Sequence, residues 1–207
     1  MASEGSKGAV RPGGPMKALV PLFLACVTLT LTGCPAYSVH PLYTNEDAIV
    51  EPALEGSWVD TSEDPTEFSF RKSAEHEYSM TMSDPKSKIV QNYTVNLVRL
   101  GDQMFMDIVF KDQAVNDTKI DDPIGTVPCH IIVKVNIAGD DLAYAVMDDD
   151  PIQKQGPLEK PPLGYVTTDE GPLVTAETDA LRRYVSTDKG DAFPNWEHLT
   201  RKHEIQP

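Results

Sequence analysis

The sequence has few basic residues for its length. It contains 18 lysines and arginines against 32 aspartates and glutamates, and its formal net charge is −14. Nucleic-acid binding depends on basic side chains that neutralise phosphates, and binding to anionic lipid needs a basic patch, so the composition argues against both. It favours a soluble, self-repelling surface held off the membrane, with a cationic partner or a metal ion as the alternative.

The sequence also lacks an apolar stretch long enough to span a membrane. The uncharged run from Ala18 to Thr32 has about 15 residues, against the roughly 20 of a spanning helix. A basic head precedes it, and the threonines within it are poor helix formers for a buried core helix. These features predict a signal peptide over residues 1–33, with translation starting at Met1 or Met16.

The apolar run ends in Leu31-Thr32-Gly33-Cys34. This motif resembles the lipobox of bacterial lipoproteins, in which a leucine, two small residues and a cysteine direct lipid attachment. The resemblance implies that Cys34 receives a diacylglyceryl group, that residues 1–33 are removed, and that the new amine is acylated, as with palmitate. Several acyl chains anchor a protein stably, whereas one binds only marginally. Pro35 stands where inner-membrane retention in enteric bacteria uses aspartate, which implies the outer membrane, facing the periplasm.

Cysteine is scarce, with three in the chain. Cys26 lies in the segment to be removed and Cys34 would carry lipid, so no intramolecular disulfide is expected, although an exported compartment permits disulfides. Strand alternation places Cys129 inward, as inert packing. The fold must therefore rest on its hydrophobic core. We expect a proline-containing tether over residues 34–52 and a single globular domain over residues 53–207.

Alternating polar and apolar residues predict antiparallel strands, because a period of two is typical of half-buried strands. Turns are predicted at Leu100-Gly101-Asp102 and Gly139-Asp140-Asp141. The predicted inward side chains are Phe68, Phe70, Tyr78, Met80, Met82, Tyr93, Val95, Leu97, Met104, Met106, Ile108, Phe110, Ile131, Val133, Val135, Ile137, Leu142, Tyr144 and Val146.

Two helices are expected near the C-terminus. The first starts near Thr175, a plausible cap, and carries an apolar stripe that includes Leu181 and Val185. The second is short and contains Trp196 and Leu199, which are three residues apart. The predicted fold class is mainly β: an antiparallel meander that forms a curved sheet or small barrel, with one or two short C-terminal helices.

The first predicted strand opens with Gly56-Ser57-Trp58, which resembles the start of lipocalin-like domains. A second resemblance covers most of the chain after Cys34, and it is carried by Ser38–Thr44, Glu51–Trp58, Leu97–Asp102 and the Phe193-Pro194 pair. These motifs are similar to a group of uncharacterised bacterial lipoproteins. That group implies lipidation at Cys34 and carries no established activity.

Common catalytic and metal-binding motifs are missing. The sequence contains no H-E-x-x-H, no G-x-S-x-G and no D-x-[DN]-x-[DN]-G. We interpret His40 as exposed or docked, His76 as solvated, His130 as pointing away from the core, and His198 and His203 as part of a charged tail. We interpret the acidic runs as solvated turns: Asp121-Asp122, Asp140-Asp141 and Asp148-Asp149-Asp150. We therefore predict no catalytic residue, metal site or cofactor, and a chain that is not an enzyme.

The inward methionines leave the function open. Met80, Met82, Met104 and Met106 could bind Cu(I), line a cavity for apolar ligands, or form a methionine-rich core. Two functional classes follow: a non-catalytic envelope accessory protein that acts by protein contacts, or a lipocalin-like binder of a small apolar ligand. A cavity beside Met80 and Met82 would favour the binder, and a solid core with an exposed apolar patch would favour the accessory protein.

Overall fold

The computed structural model describes residues 34–115, 118–120, 128–154, 163–168, 171–188 and 190–203, with only the backbone at positions 119 and 120. All of these residues belong to the second of two compact units, which begins at Leu31. The predicted signal peptide and the Asp121-Asp122 run lie outside the described residues. None of the described helices is long and apolar enough to cross a membrane.

The described elements are mostly strands. In chain order they are β1 (Tyr37–Ser38), β2 (Ala48–Ile49), a 3-10 turn (Pro52–Leu54), β3 (Gly56–Val59), β4 (Glu67–Lys72), β5 (Glu77–Asp84), β6 (Ile89–Leu100), β7 (Gln103–Val115), β8 (Thr118–Ile120), β9 (His130–Ala138), β10 (Asp141–Val146), α1 (Asp150–Gln153), β11 (Tyr165–Thr168), β12 (Gly171–Val174), α2 (Thr178–Thr187) and β13 (Trp196–Arg201).

Eight of the described strands close into an antiparallel barrel. Their order around the wall is β3, β4, β5, β6, β7, β9, β10 and β13, and β13 returns to β3. The predicted fold class and both predicted turns are confirmed, with Gly101 and Gly139 each at positive φ. The seam between β13 and β3 is short, since only Thr200 and Arg201 pair with β3.

Strand β13 corrects one prediction. The expected short helix at Trp196 and Leu199 is wrong, because these residues pair with Ala145 and Leu142 of β10. Without β13 the neighbouring strands would leave open edges on both sides, and closure into a barrel satisfies their backbone groups.

The interior of the barrel is filled by the side chains that the alternation predicts. Fifteen of the predicted inward residues are 9% exposed or less: Phe68, Phe70, Tyr78, Met80, Met82, Tyr93, Val95, Leu97, Met104, Met106, Ile108, Val133, Val135, Leu142 and Tyr144. Their burial provides the main hydrophobic stabilisation of the domain.

The 3-10 turn closes one end of the barrel. Trp58 is fully buried there, and its indole N–H donates to the Leu54 carbonyl oxygen at 2.9 Å. The guanidinium of Arg201 lies 4.1 Å from the centre of the Trp58 ring and donates to the carbonyl oxygens of Ala53 and Glu55. Gly56 has a φ of +121°, and a Cβ there would approach Arg201 to 2.9 Å, so this position needs glycine.

A second hydrophobic core lies on the outer face of the barrel. Outward residues of the wall, including Phe105 and Ile132, pack with Leu181 and Val185 of α2. The predicted apolar stripe of this helix is confirmed, but the expected start near Thr175 is wrong: α2 begins at Thr178, and its N-cap makes no side-chain hydrogen bond.

The segment predicted as a tether, residues 34–52, packs against the barrel. Strand β1 pairs with β9 and β12, and β2 pairs with β6. Ala36 and Leu42 are fully buried in the second core. Residues 34–54, which end in the 3-10 turn, are thus paired or packed with the barrel at several points, and we call them the anchor segment.

Candidate functional site

Cys34, the predicted lipidation residue, is exposed. Its carbonyl oxygen accepts the backbone N–H of Asp149 at 3.0 Å, and Pro35 forms a β-bridge with Asp148. The Ala36 N–H then donates to the Met147 carbonyl oxygen at 2.8 Å. The chain is therefore held to the end of β10 from Cys34 onward, while the Cys34 side chain stays accessible.

A buried carboxylate on β7 fixes the middle of the anchor segment. Asp107 has no exposed side-chain surface, and its Oδ2 accepts the Leu42 N–H at 2.6 Å. Its Oδ1 lies 2.6 Å from Nδ1 of His130 on β9. His130 faces away from the barrel interior, as predicted, but its side chain is only 13% exposed. Asp107 could not be identified from the sequence because a polar residue at an outward strand position resembles a solvated one.

Helix α2 holds the same part of the segment from the other side. The Arg182 guanidinium donates from Nε to the Leu42 carbonyl oxygen at 2.7 Å and pairs with the Asp47 carboxylate. Burial disfavours ionisation of Asp47, but its hydrogen bonds and the Arg182 charge outweigh burial and lower its pKa. The backbone of Leu42 is thus satisfied by two charged side chains from different elements.

The Asp107–His130 pair does not have the surroundings of a catalytic dyad. Ser38 pairs with His130 across β1 and β9, so a serine, a histidine and an aspartate lie near one another. The Ser38 side chain is fully buried, and its hydroxyl donates to the His40 carbonyl oxygen at 2.8 Å. A nucleophile needs access to substrate and a base that takes its proton. We interpret the three residues as structural contacts that hold the anchor segment in place.

The other histidines stay apart and lie next to acidic residues. His40 lies 3.6 Å from Glu177, and His76 lies 3.8 Å from Glu75. His198 and His203 lie 3.1 Å from Asp141 and Asp140, and all of these pairs are solvent-accessible. Cys129, predicted to pack inward, is partly exposed just before β9.

The interpretation of Asp148-Asp149-Asp150 as a solvated turn is wrong for two of its members. Asp148 and Asp149 are buried, 8% and 5% exposed, and the three carboxylates offer oxygens within 4.8 Å of one another. Burial is the main cause of the raised pKa of Asp149, and the negative charges of Asp148 and Asp150 raise it further. Asp148 accepts the Asp150 N–H, and Asp149 accepts the side-chain amide of Gln153. These hydrogen bonds satisfy the buried carboxylate oxygens and belong to the start of α1, so the cluster is explained without a metal ion.

A cleft of about 430 Å³ opens near the end of the barrel that the 3-10 turn closes. Its apolar wall includes Met104 and Trp196, and its charged wall includes Glu51, Arg99 and Lys134. Trp196 is 44% exposed, one of two large apolar side chains that stand out at the described surface, the other being Val166. The exposure of Trp196 was not predicted, because the three-residue spacing to Leu199 indicated a helix with both residues on one face.

The methionine cluster lies inside the barrel. Met80, Met82, Met104 and Met106 are each 8% exposed or less. Met104 alone of the four lines the 430 Å³ cleft, and none lines a second cleft of about 380 Å³ beside Ser57 and Ser69. The arrangement is that of a methionine-rich core beside a surface cleft.

Comparison with protein families, with curated proteins and with solved structures gives no match for this chain. The likeness to lipocalin-like proteins therefore rests on the closed antiparallel barrel of eight strands.

Proposed function

We propose that this chain is a lipid-anchored, non-catalytic protein of the bacterial cell envelope that acts by protein contacts. Its anchor is acylated Cys34, and its place is the outer membrane, facing the periplasm. The lipobox-like sequence and the exposed side chain of Cys34 support the anchor. The observation that carries the contact function is the exposed Trp196 beside a cleft, on a barrel whose described interior is filled.

Trp196 has the surroundings of a contact residue. It lies on an outward row of the wall in which Ala145 separates it from Lys134, and Ala145 is fully buried. The exposed indole stands beside the 430 Å³ cleft, and exposed tryptophans beside clefts often carry much of the binding free energy of interfaces. Lys134 lies 5.9 Å from the Phe193 ring and adds a positive charge beside the cleft.

A second candidate function is binding of a small apolar ligand. The observations that favour it are the lipocalin-like barrel and the 430 Å³ cleft, whose volume is within the range of small-molecule sites and whose wall includes Met104. The inward position of Met80 and Met82, away from both described clefts, favours protein contacts over this alternative.

The anchor is tested by cell fractionation. Cys34→Ala should move the protein from the membrane fraction to the soluble fraction, because no acyl chain can then be attached. A variant that stays with the membrane would exclude Cys34 as the anchor.

The contact function is tested by native mass spectrometry of the acylated protein, gently extracted from its own envelope. Trp196→Ser should abolish a co-purifying protein, whereas Val166→Ser should keep it, since Val166 is similarly exposed, at 49%, and does not line the cleft. A co-purifying small molecule that is lost when Met104 is replaced by tryptophan would identify the binder instead. Equal retention of the protein by both serine variants would exclude Trp196 as the contact.

A further inference from the structure

We propose that acylated Cys34 holds the barrel directly against the bilayer, so that the surface around Cys34 meets the lipid headgroups. This surface, the anchor face, consists of Cys34 and Asp148–Asp150. The inference rests on the proposed lipidation of Cys34, and it adds an orientation that the acidic composition alone does not suggest.

The length of free chain between the lipid and the domain limits how far apart they can lie. A flexible tether over residues 34–52 would separate lipid and domain by about 24 Å on average. In the structure, the Cys34 carbonyl oxygen already accepts a hydrogen bond from the domain, and Pro35 and Ala36 continue the contact. Little chain is left between the acylated residue and the barrel. The distance between bilayer and domain is then set by the cysteine side chain and its glyceryl group.

Buried side chains and hydrogen bonds also hold the anchor segment on the barrel. Release of the anchor segment would expose Ala36 and Leu42, which are both fully buried. It would also break the bond from Leu42 to the Asp107 carboxylate and the bond from Arg182 to the Leu42 carbonyl. Exposure of apolar surface and loss of buried hydrogen bonds both oppose release. The exposed Cys34 side chain lets an acyl group point outward while these contacts persist.

The charge of the anchor face determines the kind of bilayer it fits. The exposed Asp150 side chain pairs with Lys154 at 2.7 Å, and the Asp148 and Asp149 side chains beside it are buried. This acidic cluster opposes anionic headgroups and its neighbouring lysine is already paired, whereas zwitterionic headgroups present no net negative charge. The partner is therefore a zwitterionic lipid surface such as one of phosphatidylethanolamine and phosphatidylcholine.

Resonance energy transfer from single dyes to headgroup-labelled lipid tests the orientation. The acylated protein, carrying Cys129→Ser, is placed on vesicles of phosphatidylethanolamine and phosphatidylcholine. One dye is attached at Asp150→Cys on the anchor face. The matched dye is attached at Glu75→Cys, another exposed carboxylate, in the turn between β4 and β5. Strand β5 faces β10 across the eight-stranded wall, and this turn lies at the end of the barrel where β10 begins.

The expected result is much stronger transfer at position 150 than at position 75. A flexible ten-residue Gly-Ser insertion between Cys34 and Pro35 should reduce that difference, because it restores a tether. Equal transfer at the two positions without the insertion would overturn the orientation and leave the lipid anchor intact. Failure of the acylated protein to bind vesicles at all would overturn the proposed anchor, and the inference with it.

Discussion

The carboxylate of Asp107 should contribute about 2–4 kcal/mol to stability, because it joins the anchor segment to the barrel. Both of its oxygens are used, one by the Leu42 N–H and one by His130, each at 2.6 Å. Asp107→Ala leaves a buried N–H without an acceptor, which costs about 1–3 kcal/mol, and removes bonds to a charged group worth about 1.5–3 kcal/mol. The desolvation of the carboxylate in the native protein offsets part of this sum.

Asp107→Asn separates the two contributions. Asparagine keeps an oxygen that can accept the Leu42 N–H, and its amide can donate to His130 in the tautomer that has an unprotonated Nδ1. The loss should therefore be smaller, about 1 kcal/mol.

Urea unfolding of the chain from residue 34, with Cys34→Ser, measures both variants of Asp107. Asp102→Ala, at an exposed turn position next to the same strand, is the matched control and should stay within about 0.5 kcal/mol of the parent. The reasoning is refuted if Asp107→Ala unfolds at the same urea concentration as this control, or if the asparagine variant is as unstable as the alanine variant.

Three further predictions concern other contacts that stabilise the fold. Arg201→Lys should lower stability by about 1–2 kcal/mol in thermal unfolding, because lysine cannot bond both carbonyls of the 3-10 turn and stack on the indole; an unchanged transition would contradict this. The pKa of Asp47 is lowered in the folded protein, so its contribution is present above its ordinary value of 3.8 and is lost as pH falls. Asp47→Asn should therefore reduce the stability difference between pH 7 and pH 3, and an identical pH profile would exclude the Arg182 pair as its source. Leu181→Ala should cost about 2–5 kcal/mol because Leu181 is fully buried, whereas exposed Arg183→Ala should cost little; equal losses would mean that α2 does not cover a core.

The barrel wall could be predicted from the sequence because its signal is local. The strands β4, β5, β6, β7, β9 and β10 place apolar side chains at every second position, and in β4 and β5 burial follows that period. In the other four strands, outward residues such as Val98 and Phe105 are also buried, because the second core covers them. Gly56-Ser57-Trp58 indicated where the first strand of the wall starts. Arg201, which stacks on Trp58 at the closed end, could not be paired with it from sequence, because the two residues meet only when β13 returns to β3.

Strand β13 was missed for a physical reason. Its inward positions include Glu197 and Arg201, so the apolar alternation that marks other strands is absent. The barrel accepts Glu197 because the Tyr144 hydroxyl donates to its carboxylate at 2.7 Å. Burial is the larger cause of a raised pKa of Tyr144, and the Glu197 carboxylate raises it further. The hydroxyl therefore keeps its proton and remains a hydrogen-bond donor. The spacing of Trp196 and Leu199 then resembled a helix.

The docking of the anchor segment was missed because it leaves no periodic signal. Prolines and polar residues separate its buried apolar side chains, which include Ala36, Leu42 and Leu54, and many of its contacts are made by backbone groups. Backbone donors and acceptors are the same in every sequence, so only their partners reveal the contact. Asp107 is one such partner, and it lies 65 residues away from Leu42.

The anchor segment is held along its length, and we expect its middle and its C-terminal end to contribute independently. Leu42 is bonded in the middle, Trp58 bonds to Leu54 at the C-terminal end, and β2 pairs with β6 between them. Leu42→Ala should cost about 2–5 kcal/mol, and Trp58→Phe, which removes one buried bond, about 1–2 kcal/mol. Because β2 fixes the chain between the two sites, the double variant should lose the sum to within about 0.5 kcal/mol in urea unfolding. A loss well below the sum would mean that the segment docks as one cooperative unit, in which release at Leu42 already frees the closed end of the barrel.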